Sequence, residues 1–230
     1  MIGVFDSGVG GFNSLIHLRR LLPFADILYL ADRENAPYGI KTRDELISLV
    51  GKGIDRLLDR GACKILLACC TASTVWDALS PRQRDASVPI IQYVERALFE
   101  MDKRVMVIAT ERTVSDGAFG GVINRKNPNL NVIEIPMQGL VLAVENGARM
   151  GNLREATRVE IEKIRKIALE ICPDALVLGC THFSSVANLI REALPSVRII
   201  NPAHLGAVAM AEDLVLTGSY IREGGKLIYM

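Results

Sequence analysis

The sequence predicts an α/β protein of two similar lobes, each a parallel sheet flanked by helices, with an active-site cleft between them. Three observations carry that prediction. Short aliphatic runs alternate with longer amphipathic stretches along the 230 residues, the pattern of repeated βαβ units. Two of those runs, Lys64–Thr71 and Ala175–His182, end in a cysteine followed closely by threonine. The opening run Ile2–Ser7 also has a counterpart in Val105–Thr110, so a first strand and a later cysteine-bearing strand recur in the same order.

The strands are placed at Ile2–Phe5, Ile27–Ala31, Ile65–Ala68, Ile90–Tyr93, Val105–Ala109, Val132–Ile135, Leu176–Leu178, Val197–Ile200 and Leu227–Tyr229. Four or five aliphatic residues in a row, without polar alternation, are what a parallel strand covered on both faces requires. Helices are predicted over Gly11–Leu22, Thr42–Arg60, Thr113–Asn124, Leu153–Ile171 and Ser185–Ala193. Within Arg154–Leu169, Val159, Ile161, Ile164, Ile167 and Ala168 form an apolar face among charged residues. The chain is expected to change lobe near Tyr93–Asp102 and to return near Ile200–His204. Residues 1–94 and 201–230 then form the first lobe, and residues 95–200 the second.

Composition narrows the function. Half the residues are hydrophobic, 23% are charged and the net charge is +1, which gives no basic surface for a nucleic acid and no pull toward an acidic membrane. No apolar run approaches the roughly 20 residues that span a bilayer. The first residues already form a strand, with no basic leader ahead of them. Five cysteines, two of them adjacent, lack the spacing of a disulfide scaffold, so the expectation is a reduced, cytoplasmic protein.

Cys69 and Cys180 are the candidate reactive groups. Each ends a strand and opens a turn into a helix, where a helix N-terminus lowers a thiol pKa. Cys63 and Cys172 are assigned to packing. Two thiols facing one carbon from opposite sides would invert it, one removing a proton and the other returning one. The pattern therefore fits racemisation or epimerisation better than hydrolysis, which needs an oxyanion hole and an activated water or an acyl-enzyme.

Asp6-Ser-Gly-Val-Gly-Gly11 forms a tight turn able to aim backbone N–H groups at an anion, or simply a helix cap made by Asp6 or Ser7. It lacks the spacing of a dinucleotide fingerprint and the lysine of a phosphate loop. Asp6 could also hold a thiol or a substrate ammonium. His182 could share a proton near neutral pH or cap its turn. A zinc site from Cys69, Cys70, Cys180 and His182 is disfavoured, because adjacent cysteines do not readily ligate one tetrahedral ion and no Cys-x-x-Cys pair occurs. Asp32–Gly39 is unusually polar for a structural turn and is read as lining the cleft. Glu145 is by default a solvated carboxylate at a helix end.

These motifs together resemble a known family. Val4–Gly11, Asp32–Gly39, Ala68–Ser73, Thr113-Val114, Val144–Gly147 and Leu178–Phe183 are similar, in order and over nearly the whole chain, to those of glutamate racemases in the aspartate/glutamate racemase superfamily. The resemblance implies two Rossmann-like lobes and a cofactor-independent two-base isomerase acting on glutamate, supplying its D-enantiomer for peptidoglycan, with no metal and with a homodimer common in the family. It implies that Cys69 handles the α-proton of D-glutamate and Cys180 that of L-glutamate. Asp6 and His182 would assist them, with Glu145 as a further carboxylate near the second thiol. Substrate would be held by Asp6, Ser7, Pro37, Tyr38, Gly39, Cys70, Thr71, Thr113, Thr181 and His182. Cys70 stands where the family usually has asparagine, Ser184 where proline is frequent, Met137-Gln-Gly139 for a Cys-Pro pair and Asn201-Pro-Ala203 for Asp-Ser. Asp116 and Phe119 replace a serine and a tyrosine. The alternatives are a racemase of aspartate or another small amino acid, or an inactive ligand-binding protein on the same scaffold.

Overall fold

The computed structural model describes residues 1–98, 104–218 and 224–230. Its strands are β1 (Ile2–Asp6), β2 (Ile27–Ala31), β3 (Lys64–Leu67), β4 (Ser87–Pro89), β5 (Arg104–Ala109), β6 (Asn131–Pro136), β7 (Ala175–Gly179), β8 (Arg198–Ile200) and β9 (Leu227–Tyr229). The first sheet has the order β4-β3-β1-β2-β9 and the second β6-β5-β7-β8, with every pairing parallel. Read from its far edge, the second sheet runs β8-β7-β5-β6. That matches β4-β3-β1-β2 strand for strand, with β9 as an extra edge strand. The internal repeat is thus a repeat of topology, and it puts Cys69 and Cys180 after equivalent strands.

Helices α1 (Phe12–Leu21) and α2 (Arg43–Asp59) cover opposite faces of the first sheet. Alternation along the strands explains this. Phe5, Ile65 and Leu67 face Leu46, Val50, Ile54 and Leu57 of α2. Val4 and Leu66 face Leu15 and Leu18 of α1. The start of α2 is fixed by a reciprocal cap, in which Thr42 Oγ1 accepts from Glu45 N and Glu45 Oε2 accepts from Thr42 N. The short helices α3 (Cys70–Ser73), α4 (Pro81–Ala86) and α5 (Val94–Leu98) lead toward the second sheet. There α6 (Glu111–Ser115), α7 (Ala118–Lys126), α8 (Gln138–Met150), α9 (Leu153–Ile171) and α10 (Ala187–Ala193) surround the strands. The chain then returns through α11 (Pro202–Leu216), whose Ala207, Met210 and Leu214 join the core beside α1.

One core crosses between the sheets. Val105, Val107 and Ala109 of β5 and Phe119, Val122 and Ile123 of α7 share a buried cluster with Cys70, Ile90, Ile91, Val94 and Ala203. This explains a departure from the expected strands. Ile90–Tyr93 is a 3-10 turn, and the strand lies earlier, at Ser87–Pro89, paired with Ile65–Leu67. Ile90 and Ile91 are apolar because they join the two sheets, a requirement that reads like a strand in sequence.

Other expectations are corrected similarly. The helix predicted over Thr113–Asn124 is two helices, broken where Gly117 adopts φ 57°. The one over Ser185–Ala193 begins at Ala187, after a 3-10 turn over Thr181–Val186. On α9, Thr157, Ile164 and Ala168 are buried with Ile161 and Ile167 packed beside them, whereas Val159 falls off the stripe and is 57% exposed. Cys63 and Cys172 are both exposed; their sulfurs donate to Met1 O and Leu169 O, so neither packs a core. The expected change of lobe at Tyr93–Asp102 falls partly outside the described residues.

Candidate active site

Cys69 and Cys180 line one small, partly open cavity between the two sheets. β3 ends at Leu67 and β7 at Gly179, and the C-terminal ends of parallel strands are where open α/β sheets bind ligands. The cavity measures about 30 Å³, room for little more than a water or two. Ser7, Pro37, Tyr38, Gly39, Cys70, Thr71, Glu145, Thr181 and His182 also line it.

Two glycines bring the halves together. A Cβ at Gly10 would lie 2.2 Å from Thr181 Oγ1 and 3.1 Å from His182 N, and one at Gly39 would lie 2.8 Å from Thr110 Cβ. The glycine turn after β1 therefore serves close approach of the second half. Asp6, fully buried, does not cap α1, whose N-cap is Gly11 without a side-chain bond. Its Oδ1 accepts from Gly8 N at 2.7 Å and its Oδ2 from Thr181 Oγ1 at 3.1 Å. It stands behind the cavity wall and ties the first strand's turn to the second thiol's neighbour. Burial raises its pKa, against the opposing charge of His182.

The two thiols have different surroundings. Cys69 Sγ accepts from Ala72 N at 3.4 Å and contacts Ser7 Oγ at 3.4 Å. Burial first, then the carboxylate of Asp6, pushes its pKa up to about 12, so the expected lowering by a helix N-terminus does not hold. The reason is physical. α3 has only four residues, and its few aligned peptide dipoles are outweighed by desolvation. Cys180 Sγ instead lies 3.6 Å from His182 Nδ1, and His182 Nε2 lies 3.3 Å from Glu145 Oε1. Burial opposes the imidazolium, yet the bonds to Cys180 and Glu145 outweigh it and lift His182 to about 11. Only the doubly protonated ring can donate to both neighbours at once. The bond from His182 holds Glu145 below the usual carboxylate range. Glu145 is thus paired and only partly solvated, with 31% of its side chain exposed, and it lies within α8 and not at a helix end.

The hydroxyls of Thr71, Thr110 and Thr113 form a ring with separations of 3.0, 3.1 and 2.9 Å. Thr71 and Thr110 reach the cavity; Thr113, fully buried, backs them. Thr110, Gln138 and Val141 line the cavity and were not singled out in the sequence. The repeat offered one signal, since Thr110 follows β5 as Ser7 follows β1. Tyr38 donates to Asp32 Oδ2 at 2.6 Å, and Asn35 donates to the same carboxylate, so the polar Asp32–Gly39 turn is internally bonded. Among the described residues, no group of three or more His, Cys, Asp or Glu is arranged to hold a metal ion.

Paired sheets of matching topology, with a thiol after an equivalent strand of each lining one small cavity, define an α/β protein of the racemase type. The chain belongs to the Asp/Glu/Hydantoin racemase family, whose model matches residues 18–210. It is 33% identical over 223 residues to the glutamate racemase of Limosilactobacillus reuteri, covering 94% of this chain and 80% of that one. It is 34% identical over 230 residues to that of Pseudomonas aeruginosa, covering 98% and 84%. Among solved structures it is similar to the glutamate racemase from Francisella tularensis in complex with D-glutamate, with a TM-score of 0.88 and 27% identity over 99% of this chain and 85% of that chain. The resemblance read from the motifs is borne out at the level of family and fold.

Proposed function

We propose that this protein is a glutamate racemase that interconverts L- and D-glutamate by proton transfer between two thiols, and that it supplies D-glutamate for peptidoglycan in the cytoplasm. The observation that carries the reading is the meeting of Cys69 and Cys180, from equivalent strand ends of the two sheets, in one cavity. In the L-to-D direction Cys180, as thiolate beside the His182 imidazolium, removes the α-proton. The electron pair left on the α-carbon is delocalised into the substrate carboxylate. The Cys69 thiol then delivers its own proton to the opposite face. The reaction leaves Cys180 as thiol and Cys69 as thiolate, the latter bonded by Ser7 and Ala72 N–H; the D-to-L direction starts from that state. Hydroxyls of Ser7, Thr71 and Thr181 and backbone N–H groups near Gly39 bind the substrate's polar ends, with Thr113 and Asp6 behind them. The lobes are residues 1–94 with 201–230, and 95–200. Because the cavity holds only a water or two, the cleft widens to admit substrate and closes over it, excluding water from the charged intermediate.

L-Glutamate incubated with the protein in deuterated water should yield D-glutamate carrying α-deuterium, and Cys69→Ser and Cys180→Ser should each abolish turnover. Full activity in either variant refutes the two-thiol mechanism, and tight binding without α-proton exchange would mark an inactive binding protein. A second reading has one observation behind it. Cys70 lines the cavity where the family usually places an asparagine, so aspartate or another small amino acid could be preferred; comparing kcat/KM for aspartate and glutamate decides between them.

A further inference from the structure

The thiol cavity abuts a larger hollow of about 580 Å³. Gly8, Ala36, Pro37 and Glu145 belong to the walls of both, so the larger hollow is the vestibule of the smaller. Two exposed arginines line it: Arg33, from the turn after β2, and Arg149, from the last turn of α8. One comes from the segment beside the first sheet and one from beside the second. Among the described residues neither guanidinium makes an ion pair within 4.0 Å or a side-chain hydrogen bond.

The inner cavity has a complementary lack. No arginine or lysine lines it among the described residues, and its charged groups, Glu145 and His182, face each other at 3.3 Å. It offers hydroxyls and N–H groups but no unpaired fixed cation, whereas an acidic amino acid carries a net negative charge. The vestibule that adjoins this cavity carries two arginines. There Glu145 is bonded to His182 and also feels the charge of Arg149, Asp32 is bonded to Tyr38 and Asn35, and Glu34 stands on the same turn as Arg33, so the opposing carboxylates are shared among several partners.

We propose that Arg33 and Arg149 make the vestibule a cationic capture site for the anionic substrate, lowering KM and favouring acidic over neutral amino acids. The proposal rests on the acidic-substrate reading above and deepens it. A concave wall of one sign concentrates the oppositely charged ligand. The effect is screened by salt, over about 8 Å at physiological ionic strength.

The test compares the parent with R33Q/R149Q and R33K/R149K. KM and kcat for glutamate are measured from roughly 20 to 500 mM salt, a span that shortens the screening length several-fold. In parallel, the affinity for glutarate, a dicarboxylate with no amino group and no stereocentre to invert, is measured by NMR titration. The glutamine variant should raise KM and weaken glutarate binding about fivefold at low salt and lose most of the salt response, while the lysine variant retains it. Unchanged KM, glutarate affinity and salt slope in R33Q/R149Q would overturn the vestibule. A parent that binds glutarate with this salt dependence but exchanges no α-proton would instead overturn the racemase reading and leave the vestibule supported.

Discussion

Replacing Glu145 by glutamine tests how the second thiol is activated. The Glu145 carboxylate meets His182 Nε2 at 3.3 Å, and His182 Nδ1 meets Cys180 Sγ at 3.6 Å. Glutamine keeps the shape and the acceptor oxygen but removes the charge. A hydrogen bond to a charged group is worth about 1.5–3 kcal/mol. With the carboxylate 31% exposed, solvent screening reduces that to about 1–2 kcal/mol. At about 1.4 kcal/mol per tenfold in rate, kcat/KM should fall about five- to thirtyfold. Because the two enantiomers have equal free energy, the loss in kcat/KM is the same in both directions. The asymmetric readout is the primary deuterium isotope effect, which should rise for the enantiomer whose α-proton Cys180 removes, L-glutamate by the family resemblance, and fall for the other as its own abstraction step limits the rate less. The assay is racemisation of α-protio and α-deuterio glutamate followed by circular dichroism from each enantiomer. An unchanged kcat/KM, or an isotope effect that rises equally for both, refutes the argument that Glu145 acts through His182 on one thiol.

Three further outcomes follow from the same geometry. Gly10→Ala sets a Cβ against Thr181 and His182 N; it should cost about 1–3 kcal/mol by overpacking and lower turnover at least about tenfold, as read by chemical denaturation and racemisation. His182 has its pKa raised from 6.5 to about 11, so its contribution to stability is complete below 6.5 and lost as pH rises toward 11. Glu145 has its pKa lowered from 4.5, so its contribution is complete above 4.5 and lost in stronger acid. The stability gap between parent and His182→Gln should therefore be widest between about pH 4.5 and 6.5 and shrink toward pH 11, measured by urea unfolding. Ile108→Ala, in the fully buried middle of β5, should cost about 2–5 kcal/mol, visible as a lower Tm.

The parts of the fold legible in the sequence are those where one physical demand acts alone. β3 and β7 are covered on both faces, so their aliphatic runs and the cysteines that end them can be found directly. α9 is amphipathic enough to be bounded at both ends. By contrast, α11 is apolar nearly all round, with Ala207, Met210, Ala211 and Leu214 buried, and it lacks the polar contrast that marks a helix; neither it nor α8 was predicted. Ile90 and Ile91 answer to contact between the sheets, which sequence periodicity does not encode. At the site, Cys69, Cys180, His182 and Glu145 are legible in the sequence, whereas the lowered pKa expected of Cys69 fails, because desolvation depends on what the rest of the chain brings over the thiol. Thr110 and Gln138 were missed for a related reason: each meets Gly39 of the first half only after folding.

The apolar cluster that joins Ile90, Ile91, Val94 and Ala203 to Val105, Val107 and Phe119 makes the two sheets share one continuous core. Unfolding either half would strip hydrophobic cover from the other, so the chain should melt in a single calorimetric transition.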